Sequence, residues 1–161
     1  YALGSLTSGI SNIAMGHNSG SNVTTGGANI CIGSAGPTTG SSNIMIAGAG
    51  STAGSYNILL GGNITASTGT ESYNVILGAV TAAGGINNNI IIGDGQGNER
   101  LRINSTGNLG VGVTAPAFTA DIAGDARITS TNKMRFGGTA GTTNFYIQYN
   151  STTNSLDFVA G

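Results

Sequence analysis

One short unit recurs along the first part of this chain and constrains its fold more than any other feature: an asparagine, an apolar triplet and a glycine. It reads Asn12-Ile13-Ala14-Met15-Gly16, Asn29-Ile30-Cys31-Ile32-Gly33 and, with one extra residue, Asn43-Ile44-Met45-Ile46-Ala47-Gly48. It continues as Asn57-Ile58-Leu59-Leu60-Gly61, Asn74-Val75-Ile76-Leu77-Gly78 and Asn89-Ile90-Ile91-Ile92-Gly93. Successive asparagines stand 17, 14, 14, 17 and 15 residues apart. Three apolar residues are too few for a helix, whereas a β-rich triplet bounded by Asn and Gly suits a short strand. Strands returning at this interval predict an all-β chain, a β-solenoid (β-roll) of about six rungs stacked at about 4.8 Å. Turn-formers such as Gly36-Pro37-Thr38-Thr39-Gly40 supply the corners, and the uneven steps are loop insertions there.

Composition agrees. Glycine contributes 29 of 161 residues and only 7% are charged, against roughly 25% charged in an average domain. A helical bundle is excluded because Gly, Ser, Thr and Asn are poor in helix interiors. Collagen is excluded by the missing Gly-X-Y period and by the 2 prolines. A net charge of −1 leaves no electrostatic footprint for nucleic acid. No apolar run approaches the roughly 18 residues that a membrane-spanning helix needs, so no membrane insertion is expected. From Tyr1 to Thr70 there is no Asp, Glu, Lys or Arg; Glu71 stands alone before Asp94, and the other charges lie from Asp94 to Asp157. Asn, Ser and Thr must hydrate the surface instead, as in extracellular β-fibres. The single cysteine rules out an intrachain disulfide framework.

Side chains alternate across a strand. The first and third triplet positions are Ile, Val, Leu or Met throughout and are read here as the solenoid interior. The middle positions, Ala14, Cys31, Met45, Leu59, Ile76 and Ile91, are apolar as well. On that reading they would form an exposed apolar column, so they are assigned to an oligomer seam between copies of the chain. The repeated asparagines are read as corner residues whose amides stack and bond to turn backbone rather than as ligands. Cys31 is read as a buried thiol and His17 as a solvated corner residue. Tyr1-Ala2-Leu3-Gly4 matches the end of a further repeat, which leads us to expect that the chain continues a longer fibre.

After Gly93 the pattern changes. Arg100-Leu101-Arg102-Ile103-Asn104 alternates, Leu109-Gly110-Val111-Gly112-Val113 follows a turn, and Phe145–Tyr149 pairs with Leu156–Val159 as a closing hairpin. All four phenylalanines, 118, 136, 145 and 158, fall in this part, which predicts a small core of its own. The expected organisation is therefore a solenoid over 1–93, a joint at 94–97 and a smaller hairpin-rich β module over 98–161.

The Asn-Ile-x-Ile-Gly repeats resemble the head repeats of trimeric autotransporter adhesins, and similar repeats occur in phage tail fibres. Gly107-Asn108-Leu109-Gly110-Val111-Gly112-Val113-Thr114-Ala115-Pro116, followed by Asp121-Ile122-Ala123-Gly124-Asp125-Ala126-Arg127-Ile128, resembles a stretch common in tail-fibre proteins. There it often precedes an endosialidase-type intramolecular chaperone. The resemblance implies a homotrimer, a virion tail fibre or a bacterial surface adhesin head, and attachment to a glycan or protein receptor on a host surface. Tyr56, Tyr73, Tyr146 and Tyr149 are the aromatic candidates for receptor contact. No cofactor, metal or catalytic residue is expected. The chain's six acidic residues suggest no glycosidase pair, with Asp94 and Glu99 beside Arg100 and Arg102 read as structural ion pairs. Ice binding is the remaining rival; Thr25, Thr39, Thr52, Thr65 and Thr81 occur once per repeat but at irregular steps.

Overall fold

The computed structural model describes residues 1–46, 54–62, 70–81 and 85–127 in full, and the backbone of strand residues 65–66, 82, 134–136, 145–150 and 155–160. The strands are β1 (Ile13–Met15), β2 (Ile30–Ile32), β3 (Ile44–Ile46), β4 (Ile58–Leu60), β5 (Thr65–Ala66), β6 (Val75–Leu77) and β7 (Thr81–Ala82). They continue as β8 (Ile90–Gly93), β9 (Glu99–Ile103), β10 (Leu109–Val111), β11 (Ala120–Ile122), β12 (Met134–Phe136), β13 (Phe145–Asn150) and β14 (Ser155–Ala160). Among the described residues there is no helix.

The six triplets stack as parallel strands in the order β1-β2-β3-β4-β6-β8. Their register is kept, first position on first and middle on middle, from Ile13↔Ile30 through Leu77↔Ile92. This is a β-solenoid of about six turns. β5 and β7 add a short parallel pair in which Thr65 faces Thr81.

The assignment of faces is the reverse of the sequence-based one. Cys31, Met45, Leu59, Ile76 and Ile91 are at most 2% exposed within the single chain, and Ala14 at the first rung is half-buried. They form the solenoid's own interior, together with Val23, Val80 and Ile86 from the connecting loops. The first and third positions point outward. The reason lies in the asparagine. Residues two apart share a strand face, so each Asn and the middle residue of its triplet must go the same way. The asparagines are buried, at 0–5% for Asn29, Asn43, Asn57, Asn74 and Asn89, and the middle column follows them inward. A rung this short encloses a core only one strand residue wide.

Beyond Gly93 the sheet continues. The chain reverses, and β9 pairs antiparallel with β8, placing Arg102 opposite Ile91. β10 pairs antiparallel with β9, and β11 parallel with β10. The expected joint at 94–97 is thus where strand direction changes, but the compact unit runs from Tyr1 to Gly124 and a second unit from Asp125 to Gly161. The boundary moves because β9–β11 extend the same hydrogen-bonded ladder. In the second unit β12, β13 and β14 form an antiparallel sheet with Ile147 opposite Phe158. Phe118 is exposed; the side chains of Phe136, Phe145 and Phe158 lie outside the described residues.

Tyr1–Gly4 is also placed differently from expectation. It forms a turn rather than a strand end, and Leu3 N–H donates to Ser19 O at 2.9 Å. The segment is level with the loop after β1, not with β1 itself.

Candidate functional site

Three polar or strained columns run beside the triplets, and each follows from one position of the repeat. The first is the asparagine ladder. Oδ1 of Asn12, Asn29, Asn43 and Asn57 accepts both the backbone N–H and the Nδ2 amide of the next asparagine, at 2.9–3.2 Å. Nδ2 also donates sideways to a loop carbonyl: Gly26, Gly40, Gly54, Glu71 and Ile86 for Asn12, Asn29, Asn43, Asn57 and Asn74. Buried amides are thereby supplied with partners on every rung, which burial requires. The loop carbonyls come close because the position three before the asparagine is Gly at 9, 26, 40 and 54. At Gly54 a Cβ would run into the Glu71 carbonyl.

The second is a hydroxyl ladder. The N–H groups of Gly27, Ser41 and Ser55 donate to the Oγ of Ser41, Ser55 and Ser72, and Ser72 N–H donates to Asn87 Oδ1, at 2.7–3.1 Å. The third is the residue directly before each asparagine: Ser11, Ala28, Ser42, Tyr56, Tyr73 and Asn88. All six adopt φ of 56–61°, the left-handed region that non-glycine residues rarely enter. All six are exposed. Here Tyr56 and Tyr73 stack in parallel, ring centroids 5.1 Å apart and planes 6° from each other. They are 56% and 58% exposed. Tyr146 and Tyr149 lie on β13 opposite Val159 and Leu156; their side chains are outside the described residues, so the four tyrosines are not shown to form one site.

The outward face of the sheet carries the other notable surface. Its first-position column runs Ile13, Ile30, Ile44, Ile58, Val75, Ile90, Ile103, Leu109, Ala120, and its third-position column Met15, Ile32, Ile46, Leu60, Leu77, Ile92, Leu101, Val111, Ile122. Every member is apolar. Ile13, Met15, Ile58, Ile90, Ile92, Val111 and Ile122 are exposed. Over the same strands the middle column stops being uniformly apolar, passing from Ile91 to Arg102, Gly110 and Asp121.

No family model, curated protein or solved structure matches the chain. Its geometry therefore has to carry the functional reading.

The charged residues gather where the strand direction reverses. Arg102 is 11% exposed and forks onto Glu99, Nε to Oε1 and an Nη to Oε2, both at 2.6 Å. Its other Nη lies 3.5 Å from Asn89 Oδ1, the acceptor that would otherwise meet a seventh asparagine. Asp94 binds the more exposed Arg100 at 2.6 Å. The Asn98 amide, the Gln96 N–H and Arg100 hold the Asp94 carboxyl well below its ordinary pKa. A cleft of about 700 Å³ opens beside these groups, lined by Thr81, Asn98, Glu99, Arg100, Arg102 and Thr114 among others. Both acids of the cluster are held by arginines. Among the described residues no three of His, Cys, Asp or Glu meet as a metal-binding group; His17 is exposed, and Cys31 is buried with its thiol pKa raised by that burial.

The hydroxyl ladder and the glycine column were legible as Ser two residues before Asn43, Asn57 and Asn74 and Gly three residues before Asn12, Asn29, Asn43 and Asn57. The left-handed column has no signature of its own, because its residues share only conformation. Of the threonines noted from the sequence, Thr65 and Thr81 are register partners in β5 and β7, and a threonine ladder runs at other positions. Thr7 and Thr24 donate N–H and hydroxyl to the carbonyls of Thr24 and Thr38 at 2.8–2.9 Å.

Proposed function

We propose that the chain is a structural and attachment segment of an extracellular homotrimeric fibre, extending or presenting receptor-binding surface toward a host cell. The observation that carries this reading is the two-column apolar face, unbroken over nine strands, about 38 Å along the stack. A monomer would leave it to water, and soluble monomers rarely expose a continuous stripe of this kind. Where the inward column takes Arg102, Gly110 and Asp121 after Ile91 the outward ones stay apolar, so their composition answers to a neighbour and not to the chain's own core. Two columns per chain suit two neighbours around a threefold axis parallel to the stack, each neighbour taking one column. Parallel copies also keep one direction along a fibre. The oligomer seam is thereby moved from the middle column to its two flanks.

Attachment by a trimer gains from multivalency. The test is saturable binding of the labelled full chain to a panel of bacterial cells, alongside the Ile92→Asp variant. The wild type should bind, and the variant, unable to assemble, should lose that avidity. Absence of saturable wild-type binding to any cell would contradict the attachment role.

A further inference from the structure

We infer that the stacked pair Tyr56 and Tyr73 is a platform for an uncharged glycan, with Ser42 and Asn88 as its polar flanks. The inference rests on the attachment reading above and assigns one site and one ligand class to it. The rungs hold this column at fixed height: Ser42, Tyr56, Tyr73 and Asn88 each donate a backbone N–H to the neighbouring rung, at 3.0–3.2 Å. The rings therefore stack along the fibre, as their 5.1 Å separation and 6° angle require. Each covers one face of the other. The second face of Tyr56 looks toward the rung of Ser42, and that of Tyr73 toward the rung of Asn88. Ser42 and, beyond it, Ala28 and Ser11 are small and exposed, so this column places no large side chain beside Tyr56.

Two tyrosines here run against local preference. A bulky side chain at φ 61° is strained where Gly or Asn would be relaxed, and the fourth and fifth rungs nevertheless carry rings that remain more than half exposed. The stack covers only one face of each ring, so the other faces remain open to a ligand. The chemistry on offer is flat, amphipathic and neutral: ring faces for the C–H face of a pyranose, and phenol, hydroxyl and amide groups for its hydroxyls. No Asp, Glu, Lys or Arg occurs between Tyr1 and Thr70, and Glu71 is 2% exposed. No Lys or Arg occurs from Tyr1 to Gly93, so the six rungs themselves supply no cation for a sialylated or sulfated sugar. The same absence disfavours nucleic acid, whose stacking bases bring phosphates that need neutralising.

Ser11 and Ser42 stand at this same repeat position, so Tyr56→Ser with Tyr73→Ser is a change the backbone already accepts. Saturation-transfer NMR and titration calorimetry would be run on the full chain with neutral tetrasaccharides of glucose and of N-acetylglucosamine, and with a sialylated tetrasaccharide. We expect a neutral probe to bind, the sialylated one to bind no better, the double Ser variant to lose at least tenfold in affinity, and the double Phe variant to retain most of it. The inference is overturned if no neutral probe binds the wild type or if the double Ser variant binds as well as the wild type. It is also overturned if that variant changes the oligomeric mass, which would make the pair a subunit contact. Cell binding that survives the double Ser change would remove the glycan platform while leaving the attachment reading in place.

Discussion

Asn57 donates both its backbone N–H and its side-chain amide to Oδ1 of Asn43, each at 3.0 Å. The same bond pair, repeated from Asn12 to Asn74, welds the first five rungs from inside, and the Asn89 N–H continues it to the sixth. Asn57→Ala would keep the backbone N–H on Asn43 Oδ1 but lose the amide bonds to that oxygen and to the Glu71 carbonyl, and would leave the buried Asn74 N–H without its Oδ1 acceptor. Each buried group left unmade costs about 1–3 kcal/mol, so we expect a loss of about 3 kcal/mol or more in denaturant unfolding. Asn12→Ala, at the half-buried first rung, should cost less than half as much.

Inward and outward positions of the triplets should respond oppositely. Leu59→Ala removes a side chain 2% exposed and should cost about 2–5 kcal/mol of fold stability. Ile90→Asp, beside it in the outward column two rungs on, should leave strand content by circular dichroism near wild type and abolish assembly. Ile76→Asp buries an unpaired charge in the solenoid's own core, and we expect it to prevent folding altogether.

Asp94 gives a pH dependence of known sign. Its folded pKa lies below the ordinary value of 3.8, chiefly through the Asn98 amide, then the Gln96 N–H and Arg100. A depressed carboxylate contributes stability that is complete above the unfolded pKa and lost as pH falls through the folded one. The Tm difference between wild type and Asp94→Asn should therefore be constant above about pH 5 and shrink below pH 3.8. A difference that instead grew on acidification would show that Asp94 is not stabilised as a carboxylate.

Cys31 should be chemically silent in the folded state. It is fully buried and its thiol pKa is raised by burial, so little reactive thiolate is available. Labelling by a water-soluble thiol reagent should proceed at the rate of unfolding and accelerate in denaturant. Immediate labelling of native protein would place the second rung's interior in contact with solvent.

The period of the fold was readable because each rung repeats one physical solution: a triplet long enough for one strand, with Asn and Gly to turn the chain. The inside of that strand was not readable from hydrophobicity, because all three positions of the Ile90-Ile91-Ile92 triplet are apolar and hydrophobicity alone cannot choose a face. The asparagine before it could have chosen, since Asn89 and Ile91 must share a side. The extent of the first unit was hidden for a related reason. Charge and aromatic content change at Asp94, yet Leu101, Ile103, Leu109 and Val111 preserve the outward columns. The Tyr56–Tyr73 stack was visible only as two tyrosines, each one residue before an asparagine. Their contact depends on rung register, which repeat steps of 14 and 17 residues obscure.

The account turns on the outward face, and the most direct measurement is the mass of the native full chain by sedimentation equilibrium, with Met15→Asp, Ile92→Asp and Val111→Asp beside it. The account predicts three copies for the wild type and single chains, still rich in β-structure, for each variant. A wild-type mass of one chain, or variants that stay assembled, would contradict it.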